Sequence, residues 1–129
     1  MIESGPPAEP KADVRARLDE ARNLWLATVR PDGRPHLIPI WFVLEGARLY
    51  VCTAPDSVKA RNLAGNTRVA AALEDGSHPV ICEGTARSFE QPWPDEIVRR
   101  FVAKYDWDIG AESTYTLLVE ITPSKWLSW

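Results

Sequence analysis

Apolar positions recur along this chain at two spacings, and the changes between them mark out its elements. Val14, Leu18, Ala21 and Trp25 stand at helical spacing among Arg, Asp and Glu residues, which predicts an amphipathic helix over Lys11–Arg22, ended by Asn23. Leu24–Val29 is a mostly apolar run of strand length. Arg30-Pro31-Asp32-Gly33-Arg34 then turns the chain, because Pro presets φ and Gly accepts the left-handed conformation. Pro35–Leu44 places His36, Ile38, Ile40 and Phe42 on one face and Leu37, Pro39, Trp41 and Val43 on the other, so both faces are largely apolar. Pro39 cannot donate to a sheet ladder, which implies an edge, a bulge or a break at that point. Glu45-Gly46 turns the chain again, and Arg48–Thr53 returns as a third strand.

The second half continues the pattern. Ser57 is a good N-cap and Gly65 a good stop for a helix of about two turns. Arg68–Glu74 is strand-like, Asp75-Gly76-Ser77 turns it, and Val80–Phe89 is a further strand. Pro92-Trp93-Pro94-Asp95-Glu96 has the prolines and acids of a helix start, and Ile97, Phe101 and Tyr105 supply one apolar side. Asp106–Thr114 reads as a loop, and Tyr115–Thr122 as the last strand, open to extension by the Trp-rich tail. Strands joined by tight turns argue for an antiparallel sheet. Six of them predict a mainly β fold, a six-stranded barrel with helices plugging its ends. Met1–Pro10, with three Pro and one Gly, reads as a loose arm, which leaves residues 11–129 as a single domain.

Composition narrows the function classes. Hydrophobic residues make up 45% and charged residues 26% of the 129, enough for a packed core without disulfides or a structural metal. A net charge of −3 does not suit a nucleic-acid-binding protein, though it allows a local basic site. Cys52 and Cys82 lack metal-ligand or redox spacing and read as buried free thiols. His36 and His78 are the only histidines and stand in no ligand cluster, so no metal site is expected. No apolar run approaches the roughly 20 residues of a membrane span, and Met1–Pro10 does not resemble a signal peptide, so a cytoplasmic protein is expected. Six Trp residues, two of them in Trp126-Leu127-Ser128-Trp129, imply that the tail packs on its own domain or in a subunit interface.

Two stretches could carry chemistry. From Thr53 to Asn62 the chain offers the Thr53 and Ser57 hydroxyls, the unpaired first-turn amides at Val58 and Lys59, and the charges of Lys59 and Arg61. These are the groups a phosphate ester requires, although a capped surface helix with solvated bases has the same sequence. At Ile38, Pro39, Ile40 and Trp41 the interrupted ladder frees backbone groups that a flat heteroaromatic ligand could use, although an aromatic in a strand more often serves the core.

Taken in order, Leu26-Ala27-Thr28-Val29, Asp32-Gly33-Arg34-Pro35-His36, Pro39-Ile40-Trp41-Phe42, Leu49-Tyr50, Thr53, Ser57-Val58-Lys59-Ala60-Arg61-Asn62-Leu63, Asn66, Arg68-Val69-Ala70 and Glu83-Gly84-Thr85-Ala86 resemble the pyridoxamine 5′-phosphate oxidase-like family of flavin-binding split β-barrels. The match is nearest to the branch that uses the deazaflavin coenzyme F-420. The resemblance implies a homodimer with cofactor sites between the subunits, FMN or F-420 as cofactor, and hydride transfer to a small conjugated substrate. A flavin-binding or carrier protein without its own turnover is the alternative. The resemblance also implies that Thr53, Ser57 and Lys59, adjoined by Val58, Arg61 and Asn62, hold the phosphate while the Ile38–Trp41 backbone lies along the ring. Arg61, Arg68 and Arg87 are the residues that could receive the longer acidic tail of F-420. His36 and Tyr50 are the candidates for a protein acid, and no catalytic residue is assigned. The chain carries no Arg after Arg100, and Pro35–Leu44 lacks the basic residues of true pyridoxamine phosphate oxidases, so that activity is not expected.

Overall fold

The computed structural model describes residues 5–129. Its element order is α1 (Ala12–Glu20), β1 (Leu24–Val29), β2 (Pro35–Ile40), β3 (Val43–Glu45), β4 (Arg48–Thr53), α2 (Val58–Gly65), β5 (Arg68–Ala72), β6 (Val80–Glu90), α3 (Asp95–Tyr105), a short 3-10 turn at Ile109–Ala111, and β7 (Leu117–Ser128). All strand pairs are antiparallel, in the order β2-β1-β5-β6-β7-β4-β3.

That order determines the shape. β2 and β3 occupy opposite edges of the sheet, yet only Trp41 and Phe42 separate them in the chain. A link of this length spans about 10 Å at most, so the sheet must curl until its edges nearly meet. The result is a barrel split between β2 and β3. The expectation of six strands is corrected to seven, because the single strand read at Pro35–Leu44 leaves one edge after Ile40 and joins the other at Val43. Pro39 sits one residue before that break, on an edge strand, where its missing N–H costs no ladder bond to a second neighbour.

Tyr105 clasps the split. Its hydroxyl accepts from the Phe42 N–H at 2.9 Å and stands 2.8 Å from both the Arg22 and Phe42 carbonyl oxygens, one of which takes its proton. The peptide groups stranded by the jump between edges are thereby satisfied inside the protein.

Two cores lie on the two faces of the curled sheet. The interior is filled by residues such as Leu24, Leu26, Phe42, Leu49, Val51 and Ile121, with Val14 and Leu18 of α1 and Leu63 of α2 closing it. The second core lies outside the barrel, where Ile97, Phe101 and Tyr105 of α3 cover Val43, Tyr50, Cys52 and Leu118. α3 is therefore an outer layer, where a plug had been expected. Trp25, expected on the α1 face, stands on the outer side of β1 and is 37% exposed, because Asn23 breaks the helical period first. Both cysteines are free and buried, and burial pushes each thiol up to about 12.

β7 runs six residues beyond the Thr122 expected from its pattern, and carries Trp126 along β6. The Trp126 indole donates to the Ala8 carbonyl at 2.9 Å, and Ala8 N–H donates to Pro123 O at 2.8 Å. Of the expected arm Met1–Pro10, residues 1–4 lie outside the described residues. Among the described residues no helix is long and apolar enough to cross a membrane.

Candidate functional site

Four residues separate the end of β4 from the start of α2, and the junction makes a polar corner. Thr53, the last residue of β4, is buried, with its Oγ1 3.2 Å from Ser57 Oγ. Ser57 caps α2: its Oγ accepts from the Ala60 N–H at 3.2 Å. The Val58 and Lys59 amides follow in the first turn, where a helix offers no acceptor. Lys59 is half-buried, and burial lowers its pKa from the ordinary lysine value. Burial first, then the charges of Arg30 and Lys59, lowers the pKa of His36 from the ordinary histidine value. His36 Nδ1 is buried with no hydrogen-bond partner among the described residues.

This corner fits a phosphate ester. A dianion would meet two hydroxyls, two first-turn amides and an ammonium. The orphaned His36 nitrogen marks a place nearby where a polar group is uncommitted. Asn62, by contrast, is 3% exposed and spends its amide on Thr28 Oγ1 at 3.0 Å, tying α2 to β1. Arg61 and Arg68 are exposed. Arg87 is tied to Glu120 at 2.9 Å, and Tyr50 donates to the other oxygen of the same carboxylate at 2.9 Å. Burial, and then the Glu120 charge, pushes the Tyr50 phenol far above the tyrosine range, so it stays protonated with its proton committed to Glu120.

The second stretch behaves differently. Ile38 and Ile40 turn inward against the interior core, while Pro39 and Trp41 are exposed. As an edge strand, β2 carries a row of backbone groups with no sheet partner among the described residues. Pro39, Ile40 and Trp41 line one side of a cavity of about 610 Å³, faced by Cys52, Tyr105 and Trp107. The Thr53–Asn62 residues do not line this cavity; Cys52 is the direct chain link between the two places. The expected site residues thus form two neighbouring groups, one polar and one aromatic.

Sequence reasoning missed most of the aromatic group. Trp41 stacks on Tyr105 with centroids 4.5 Å apart and planes within 5°. Trp107 stands at 75° to Trp41, and Tyr115 at 87° to Trp107. Trp107 falls in the stretch read as a plain loop and Tyr115 just after it. The run of aromatics from Trp93 to Tyr115 was the available signal, but its partners on β2 and β4 are distant in sequence.

Similar structures share this architecture. A conserved hypothetical protein of Mycobacterium tuberculosis is 26% identical over 100% of this chain and 89% of its own, with a TM-score of 0.76. HutZ, the heme storage protein from Vibrio cholerae, is 18% identical with a TM-score of 0.79, covering 94% of this chain and 95% of its own. An F420 reductase is 23% identical with a TM-score of 0.72, covering 92% of this chain and 98% of its own. No curated protein sequence matches the chain. The sequence matches the family profile "Pyridoxamine 5′-phosphate oxidase" over residues 10–129, which includes every strand, the split at Trp41–Phe42 and the corner at Thr53–Asn62. The chain belongs to the pyridoxamine 5′-phosphate oxidase family.

Proposed function

We propose that two copies of this chain hold FMN or coenzyme F-420 between them and transfer hydride to a small conjugated substrate. The observation that carries this reading is β2, an edge strand with backbone groups unpaired among the described residues, together with the polar corner at the start of α2, where Thr53, the Ser57 cap and the first-turn amides meet. When bound, the flavin or deazaflavin supplies the hydride chemistry. Thr53, Ser57, Lys59 and the Val58 amide hold the phosphate, and Arg61 borders it. The Ile38–Trp41 backbone aligns the ring. Arg61 and Arg68, both exposed, are free to meet the acidic tail of F-420, whereas Arg87 is engaged by Glu120. His36, whose pKa burial lowers, has a buried Nδ1 without a partner among the described residues that can accept a hydrogen bond.

The homodimer rests on the uncovered half of the sheet. α3 covers the outside of β3 and β4, but the outer faces of β1 and β2 present Trp25, Leu37 and Pro39 to solvent, with Leu37 59% exposed. An apolar sheet face of this kind suits an identical face on a second copy.

Titrating the protein separately with FMN and with F-420, followed by the cofactor's visible absorption, tests the reading. Saturable binding of one is expected, and binding of neither sinks the proposal. Lys59→Ala is expected to weaken that binding by about 1.5–3 kcal/mol, the range for a hydrogen bond to a charged group. An unchanged affinity removes Lys59 from the site. The similarity in fold to a heme storage protein favours the second reading, a carrier without turnover. Tight cofactor binding with no reduction of any artificial acceptor would select it.

A further inference from the structure

We infer that the aromatic cavity beside β2 is a binding site for a planar aromatic cation. Its open surface is π-rich. One face of the Trp41 ring is taken by Tyr105, yet Trp41 remains 43% exposed, so much of its ring is free to meet a ligand. Trp107 stands nearly perpendicular beside it with its centroid 6.0 Å away, and Tyr115, 45% exposed, continues the wall. Rings set at these angles enclose a flat guest by stacking on one side and by edges on the others.

The charge at the cavity decides the class of guest. Asp106 and Glu112 both line it, and neither is in an ion pair among the described residues. Glu112 is held in place by the Trp107 indole, which donates to Oε1 at 2.8 Å; its Oε2 has no hydrogen-bond partner among the described residues. Glu112 and the Cys52 thiol line the same cavity. Asp106 occupies the left-handed position that ends α3 (φ 53°), which fixes its backbone at the rim. Two cations lie nearby, Arg22 and Lys104, and neither lines the cavity; the Lys104 ammonium is 5.5 Å from the Tyr105 ring centre and donates to the Leu18 carbonyl at 3.1 Å. Arg22 lies 4.6 Å from the Tyr105 ring centre and 5.5 Å from that of Trp41, and is anchored to the Lys104 carbonyl at 2.8 Å. The same ring stack therefore already holds two cations of the chain's own. Among the described residues, the only charged ones that line the cavity are these two carboxylates, while both cations are held on backbone carbonyls away from its lining, so the wall itself is negative. An aromatic-walled, negatively charged cavity of about 610 Å³ selects a flat cation over its neutral or anionic isostere. The inference does not depend on the cofactor, although the proposed ring wall and this cavity share Pro39–Trp41.

The test is fluorescence quenching of the intact protein by N-methylacridinium, with acridine (neutral above pH 7) and acridine-9-carboxylate as controls. The cation is expected to bind about tenfold more tightly than acridine, as a cation–π contact reinforced by a carboxylate would give. Glu112→Gln keeps an acceptor for the Trp107 indole, and Asp106→Asn keeps a residue tolerant of the left-handed position, so both variants should fold. Each is expected to reduce the preference for the cation about threefold and to leave the affinity for acridine in place. Equal binding of cation and neutral ring, or a preference untouched by both substitutions, would overturn the inference. FMN and F-420 titrations of the same samples separate the two readings. Cofactor binding without a cation preference sinks only this one, and a cation preference without cofactor binding sinks only the oxidoreductase proposal.

Discussion

Lys104 and Tyr105, adjacent at the end of α3, hold three distant segments together. Tyr105 bridges Arg22 and Phe42, while the Lys104 ammonium donates to the Leu18 carbonyl at 3.1 Å and lies 3.9 Å from the centre of the Phe42 ring. Burial outweighs the attraction of Asp19 and lowers Lys104 to about 8 from the usual 10.5. Between these values the unfolded chain binds a proton that the folded chain has lost, so this residue makes stability rise with pH; below about pH 8 both states are protonated and its contribution is flat. Urea midpoints of the wild type and Lys104→Met, compared from pH 7 to 10.5, are expected to shift in favour of the wild type above pH 8. A pH-independent difference would show that the ammonium is not desolvated. The same scale separates residues alike in sequence. Arg61 and Arg87 are both basic residues near the corner motif or on a strand, but only a partner on β7, Glu120, shows that Arg87 is already engaged.

Elements were legible where they bury one face on near neighbours. β1 and β4 match their expected bounds residue for residue, because apolar runs between turn signals leave little choice of register. The split of Pro35–Leu44 was marked by Pro39, but the destination of the second half depended on pairing Val43 with Tyr50. β6 and β7 show a similar dependence. Their ladder is irregular between Glu83 and Gly84, and a Cβ on Gly84 would collide with the Thr122 carbonyl oxygen and come within 2.9 Å of Pro123 Cα. Those atoms belong to a paired strand and cannot move aside. Gly84→Ala is therefore expected to lower unfolding stability by about 1–3 kcal/mol, the range for overpacking, as measured by urea denaturation. A neutral result would mean that β7 shifts freely at this point.

At the scale of the molecule, the asymmetry of covering is the main feature. One half of the sheet's outer face lies under α3, and the other half, on β1 and β2, is apolar and bare. If that face closes against a second copy, the wild type sediments at twice the chain mass, and Leu37→Glu yields a folded single chain with weakened cofactor binding. Analytical ultracentrifugation with and without cofactor checks this, and a wild type that stays single while saturated with cofactor would refute the homodimer.

The amino-acid sequence by itself determined what depends on local spacing: the strand runs, the Ser57 cap, the proline break, the two buried thiols, and the order of motifs that marks the family. Those signals act within a turn or a strand, where backbone geometry and side-chain periodicity leave few alternatives. Tertiary structure decided what depends on residues far apart in the chain. It carried β3 to the far edge, set Tyr105 across the split, placed α3 outside the barrel, and assembled Trp41, Trp107, Tyr115, Asp106 and Glu112 around one cavity. The physical reason is that burial and pairing energies between distant segments leave no local periodicity to read, so a residue's partner is settled only when the sheet curls.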